Sequence, residues 1–421
     1  MQPSSQSVSF STANPHALAT ILDASQTRSI IASRDIFDVA GIKLWARDQP
    51  VSQTLQRKLL DRQLRHPLES CLIAEDGVTG RSLTRALEEL LERDTPLAVL
   101  LQPCADKLVH AATHLPLHAV AQLLLTAGQV SRPESFEHAV QAMSLAGALM
   151  IAHGGNTHDI RLAMLAGLVH DLGEMYIAPQ YGEDSAERTL DFQSYQQLVV
   201  HSHVGKLLIE QLTNYPPEVA RAVAEHHERL DGSGYPHCLH GASVSPLGRL
   251  LGVCEGTLAS LRGERAHLAR ASMALRVVPG EYDLGWAGLI AYGARRQPPL
   301  QALLSLDEIQ ARLARLDAAL QTAQLAADAL QHLAQAPALK DALSLAQYLL
   351  SRLRTGWNAS GLWSKDGVAV QDAAEVEAIE DELVWRLQSI KRATLLRAGD
   401  LAAEDALPLN LLCDGLMADA E

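Results

Sequence analysis

The sequence predicts a mainly α protein with a small mixed α/β region at its start and a helical module at its end, and three observations carry that expectation. Of the 421 residues, 48% are hydrophobic but only 4% are aromatic, and Ala and Leu dominate, which favours aliphatic helix packing over a β-sandwich. Apolar residues recur at helical spacing through most of the chain. Strand-like runs are few, with RSIIAS, DIFD and IKLWA clustered near the N-terminus.

Taken in order, residues 1 to about 28 are rich in Ser and Gln, and the three short strands follow, with a turn at Val39-Ala40-Gly41 between the last two. A helix is expected from about Ser52 through QTLQRKLLDRQL, and further helices over SLTRALEELLERD and HLPLHAVAQLLLTAG. No phosphoacceptor, P-loop or dinucleotide motif occurs there, so residues 1–125 read as an N-terminal domain without an assigned role. Residues 126–290 hold nearly all the histidines and carboxylates that suggest chemistry. Residues 300–421 read as the C-terminal module. Leu306, Ile309, Leu313, Leu316, Leu320, Ala323, Ala327 and Leu330 follow a heptad pattern, with a capping box at Ser305 and Glu308, so one long helix is expected before Pro337. A second helix is expected over ALKDALSLAQYLLSRL, a hairpin at WSKDGVAV, and a third helix from Asp372 to Gly399 with Val376, Ile379, Leu383, Leu387 and Ile390 on one face. The narrow stripe on the first of these suits either a homodimer or an intramolecular bundle with the helix from Asp372.

The formal charge of -14 argues against a general nucleic-acid or anionic-membrane surface, so a phosphate-bearing substrate would have to be met locally by metal ions. Five scattered cysteines without a Cys-x-x-Cys pair suit a reducing cytosol. The N-terminus lacks a basic stretch before an apolar core, and no run approaches the ~20 apolar residues needed to cross a bilayer. The expectation is a soluble, unprocessed, cytoplasmic protein that does not engage membranes.

Four pieces carry potential ligands. Glu134 and His138 are four residues apart, so both project from one helix face. His170-Asp171 ends the apolar run LAMLAGLVHDLG, where metal coordination would offset the cost of burying such groups. His201-Ser-His203-Val-Gly205 is the third piece. The fourth is AEHHERLDGSGYP, in which His226 and His227 close a helix that Asp231-Gly232-Ser233-Gly234 must terminate. Neighbouring helical residues point about 100° apart, so two adjacent histidines suit a cluster of two ions better than an ordinary core, each serving a different ion. Each piece alone is commonplace; their co-occurrence in order at helix ends is not. His153, His158, His237 and His240 fit no pattern and are expected in surface or loop positions.

HDLG at 170–173, HSHVG at 201–205 and HHERLDGSGYP at 226–236 together resemble the HD-GYP subgroup of the HD phosphohydrolase superfamily, over about 130–262. The resemblance implies a helical HD-GYP domain holding two or three iron or manganese ions, with zinc a third candidate. It implies metal ligation by Glu134, His138, His170, Asp171, His201, His226 and His227, with His170 and Asp171 at the catalytic centre. Asp231, Gly232, Gly234, Tyr235 and Pro236 would form the substrate-binding loop. Mixed imidazole and carboxylate donors suit such ions, and paired ions suit in-line displacement at a phosphodiester. The implied activity is hydrolysis of cyclic di-GMP, to pGpG or to GMP, in bacterial second-messenger signalling. Two positions depart from the family's pattern. Glu174 replaces a lysine that lies near substrate phosphate, so Glu174→Lys is expected to raise turnover; Glu255 stands as a longer substitute for an aspartate ligand. A second reading is therefore a degenerate HD-GYP protein that binds a cyclic dinucleotide or scaffolds signalling, and a third is hydrolysis of another nucleotide.

Overall fold

The structure is a computed structural model that describes residues 10–179, 192–263, 265–361 and 372–398, together with 401, 407, 409, 410 and 412. The helices are α1 (Pro15–Ala24), α2 (Gln53–Leu59), α3 (Gly80–Leu91), α4 (Pro96–Leu101), α5 (Ala105–Thr113), α6 (Ala119–Ser131), α7 (Pro133–Ala152), α8 (Thr157–Val169), α9 (Phe192–Leu212), α10 (Pro217–Glu225), α11 (Pro246–Ser260), α12 (Leu268–Ala274), α13 (Leu284–Ala294), α14 (Leu306–Leu333), α15 (Pro337–Ser360) and α16 (Ala373–Ala398). The strands are β1 (Ile30–Ala32), β2 (Ile36–Phe37), β3 (Lys43–Trp45) and β4 (Leu72–Ala74). The expected mainly α class is the one observed. No helix among the described residues is long and apolar enough to cross a membrane.

Contacts divide the chain into two compact units. The first comprises residues 1–227 and 245–254. Its strands form two antiparallel pairs, β1 with β4 (Ile30 opposite Ala74) and β2 with β3 (Ile36 opposite Trp45). The expected long helix from Ser52 stops at Leu59, because Leu60 turns extended and Asp61 takes a φ of 55°. That turn brings Leu64 into a bridge with Asp38. α6 packs against β4 and α1 packs against α6, while α7 lies along α8, with α9 against α10. Pro at the start of α7 and α10, and the Asn156–Asp159 capping box of α8, fix where these helices begin.

The second unit comprises residues 228–244 and 255–421. The expected capping box at Ser305 and Glu308 opens α14, and Ile309, Leu313, Leu316, Leu320, Ala323 and Ala327 are buried along it. α14 packs against α15 and α16 of its own chain, so the heptad stripe is used within the molecule. Arg265, Arg270 and Arg312 converge on Asp381 of α16 at 2.9, 3.0 and 2.8 Å. The expected hairpin at WSKDGVAV lies outside the described residues.

One glycine controls how the first unit closes around its centre. A 3-10 turn at Leu172–Tyr176 follows α8 and runs against α9. A Cβ on Gly173 would fall inside contact distance of the His201 carbonyl oxygen and 2.7 Å from the Gly205 nitrogen, both backbone atoms that cannot rotate away. Gly173→Ala should therefore cost about 3 kcal/mol through overpacking. It should also push His201 out of line, so thermal unfolding and metal uptake should fall together. Unaltered values of both would show that α9 is free to shift.

Candidate metal centre

Four helices deliver the predicted ligands to one buried point. His138 comes from the second turn of α7, His170 caps the C-terminus of α8, His201 lies within α9, and His226 caps α10. Asp171 follows His170 where the backbone leaves the α conformation for the 3-10 turn. Two groups of side chains could hold an ion: Asp171, His201, His226 and His227, and His138, His170 and Asp171, the ligand atoms of each lying within 4.8 Å of one another. Asp171 belongs to both. His226 and His227 fall in the same group, with ring centroids 4.0 Å apart. The helix ends at Glu225, so the regular 100° rotation does not extend to His227.

The carboxylate of Asp171 fans across the two groups. Its Oδ2 lies 3.0 Å from His170 Nε2 and 3.5 Å from His138 Nε2, and its Oδ1 lies 3.4 and 3.3 Å from Nε2 of His201 and His226. Three of the imidazoles are locked from behind. Nδ1 of His170, His201 and His226 donates to the carbonyls of Gly167, Leu198 and Val223 at 2.7, 2.6 and 2.6 Å. A carbonyl can only accept, so in the neutral rings the Nε2 lone pairs point at the carboxylate and at each other. The Nε2 atoms of His201 and His226 stand 3.1 Å apart, and those of His138 and His170 3.3 Å apart.

Burial, with His227 alongside, draws the His226 imidazole down to about 3, so it is neutral at physiological pH. Burial pushes Asp171 up, yet the histidines around it, His170 foremost, hold it well below the usual carboxylate range. A buried carboxylate ringed by imidazole nitrogens, with its Oδ1 lacking a hydrogen-bond partner, is an arrangement that cations resolve. The donor set therefore fits imidazole-preferring transition ions.

The remaining predicted residues are placed differently. Glu134 lies in the first turn of α7, one turn from His138, and is exposed; it belongs to neither group. Glu255 is buried on α11 in the part belonging to the second unit. Glu174 is buried in the 3-10 turn, and its carbonyl accepts from Arg132 Nη1 at 2.8 Å. Burial lowers the pKa of Arg132 while the charge of Glu174 opposes that fall. Arg132 was not anticipated as the neighbour of Glu174, because it lies far away in sequence, at the α6–α7 junction.

The loop that carries the motif is tied down by its own side chains. Asp231 Oδ1 accepts from the Ser233 amide at 3.1 Å and its hydroxyl at 2.6 Å. Gly232 has a φ of 80°, and a Cβ there would strike the His240 ring, so glycine is required. Gly234 is buried, Tyr235 and Pro236 are half-buried, and the Tyr235–Pro236 peptide is cis. Two acids of the motif stretch went unassigned in sequence. Glu228 accepts from the amides of His237 and Leu239 at 2.7 and 2.8 Å. Glu225 pairs with Arg221 at 2.7 Å and accepts from the Ser245 amide at 2.7 Å, fixing the entry to α11. His153, His158, His237 and His240 are exposed, as expected.

Two substitutions test this geometry. His170→Ala with Asp171→Ala removes both donors on the shared edge, so bound metal should drop to a small fraction while circular dichroism stays helical; retained metal would place the ions elsewhere. Glu174→Lys, expected from sequence to raise turnover, also sets a buried cation beside Arg132. It should lower the unfolding midpoint by several degrees, with Glu174→Gln milder. Equal stability of all three proteins would contradict the burial.

Comparison with known proteins agrees with the motif. The profile of the HD domain family matches residues 109–277. A 3'3'-cGAMP-specific phosphodiesterase of Vibrio cholerae is 26% identical over 137 residues, 32% of this chain and 31% of its own. A cyclic di-GMP phosphodiesterase of Pseudomonas aeruginosa is 25% identical over 207 residues, 49% of this chain and 47% of its own. A cyclic di-GMP phosphodiesterase response regulator of Xanthomonas campestris is 28% identical over 112 residues, 26% of this chain and 29% of its own. The chain thus spans less than half the length of each of these relatives. Residues 109–277 match the HD domain family, and the HHERLDGSGYP element within that span is similar to the signature of the HD-GYP subgroup of the HD phosphohydrolase superfamily.

Proposed function

We propose that residues 126–290 form a metal-dependent phosphohydrolase domain that opens a cyclic dinucleotide, with cyclic di-GMP as the first candidate. The observation that carries this reading is the convergence of five histidines on the single buried carboxylate of Asp171, four of them with Nε2 within 3.5 Å of it. Names of the relatives support the substrate class, since they hydrolyse cyclic di-GMP or 3'3'-cGAMP.

In this reading His138, His170, Asp171, His201, His226 and His227 would hold the ions, with iron or manganese the ones the family resemblance implies and zinc a third candidate that these donors also suit. Bound ions would supply Lewis acidity at the scissile phosphodiester and offset negative charge as it develops. The chain's own part is to fix those donors. The Gly167, Leu198 and Val223 carbonyls select the tautomer in which Nε2 is the ligating atom. Asp231, Gly232, Gly234, Tyr235 and Pro236 are carried over as the substrate loop, held in shape by Glu228. Glu134 and Glu255 are proposed as peripheral ligands. Residues 1–125 and 300–421 are proposed as flanking domains.

The second reading, a cyclic-dinucleotide-binding or scaffolding protein without turnover, is favoured by one observation: a buried acid, Glu174, where the family carries a lysine. The same experiment separates the two. Protein purified anaerobically should contain at least two transition-metal ions per chain, because the donors exceed what one four-coordinate site can use. Loaded with iron or manganese, it should convert cyclic di-GMP, or 3'3'-cGAMP, to a linear dinucleotide or mononucleotide. Tight binding of the cyclic dinucleotide with no product would establish the second reading, and background metal would remove both the centre and the activity.

A further inference from the structure

A buried ionic cluster lies in the second unit, and its members reach from the last long helix to the motif loop. Arg386 of α16 is almost wholly buried and spends its guanidinium on three partners: Glu281 through Nε at 2.9 Å, Glu382 through Nη1 at 2.7 Å, and the Ala274 carbonyl through Nη2 at 3.3 Å. Glu281 faces the motif loop. Its carbonyl accepts from the Leu230 amide at 2.8 Å, and its Oε1 lies 4.0 Å from Arg229 Nε. The Arg229 guanidinium stacks 4.7 Å above the ring of Tyr282 and donates to the Glu228 carbonyl at 3.0 Å. Glu228 in turn holds the amides of His237 and Leu239, and the Leu230 carbonyl accepts from Gly241 at 2.8 Å. Contacts run without a gap from α16 to both ends of the loop.

We infer that Arg386 is a positioning residue for the loop from Glu228 to Pro236, so that the C-terminal helices set the shape of the proposed substrate loop. Two physical reasons support a positioning role beyond packing. A buried guanidinium with every partner in place has one favourable location, since any displacement leaves a charge uncompensated in a dry setting. The second reason is charge balance. Burial pushes Glu281 up to about 7, Asp231 of the loop adds to the rise, and Arg386 opposes it. Arg386 is thus the ion that offsets the cost of burying the Glu281 carboxylate beside the loop. Arg265, Arg270 and Arg312, which grip Asp381 of the same helix, tie α16 to α12 and α14 and hold the lever.

The catalytic half of this inference rests on the proposed function; the structural half does not. Amide hydrogen exchange on the full chain reads the latter directly. In Arg386→Met the amides of Leu230, His237, Leu239 and Gly241 should exchange about tenfold faster while those between Ile309 and Leu320 of α14 keep their protection. Because a lone Glu281 could unfold the unit, Glu281→Gln with Arg386→Met removes both ions and should restore the unfolding midpoint without restoring loop protection. For a cyclic di-GMP-hydrolysing protein, KM should rise about fivefold in the double variant, with kcat and metal content close to those of the parent. Unchanged loop exchange in either folded variant, or loosening of loop and α14 in step, would overturn the positioning role, as would an unchanged KM. Absence of hydrolysis by the parent protein would instead count against the proposed function and leave the exchange comparison decisive for the loop.

Discussion

The structure of the first unit turns on one carboxylate held among imidazoles. Asp171 is buried, ionised and shared between two ligand groups, and nothing in an apolar helical core compensates such a group unaided. The rest of the unit makes sense as the means of holding it there. α8 ends at His170, so that Asp171 can leave the helix; Gly173 lets the following turn press against α9; α9 and α10 each present a histidine whose Nδ1 is tied to its own backbone. Preorganisation of this kind costs stability in the metal-free protein and returns it as metal affinity.

Much of this was legible in the residues themselves. Helix ends announce themselves through Pro, Asn and Ser caps, and the sequence positions of His138, His170, Asp171, His201, His226 and His227 follow from motif spacing at those ends. The less legible part concerns partners distant in sequence. β4 is three residues long and pairs with β1 some way upstream, so periodicity has nothing to register. The helix from Ser52 was expected to run five residues too far, because the turn at Asp61 is dictated by the bridge between Leu64 and Asp38 and not by local propensity. A heptad stripe likewise cannot say whether its partner is another chain or a later helix of the same one; α15 and α16 supply that partner here.

Acids of the motif stretch show the same division. Asp171 is readable as a ligand because it sits next to a histidine at the end of an apolar run. Glu225 and Glu228 look equally eligible in HHERLDGSGYP and its approach, yet they serve backbone amides at the start of α11 and within the loop. Glu174, read as a charge near substrate phosphate, is buried, with Arg132 near it. Carboxylates and amides attract at short range whatever the function, so a charged residue in a motif defines chemistry only once its neighbours are known.

The central claim is that Asp171 joins two metal sites into one centre. X-ray absorption spectroscopy of the iron-loaded protein tests this most directly, because it reports the atoms around each ion whether or not a substrate is turned over. The account predicts a histidine-rich first shell and a second iron within about 4 Å. A shell of oxygen alone, or isolated ions with no metal neighbour at full loading, would contradict it.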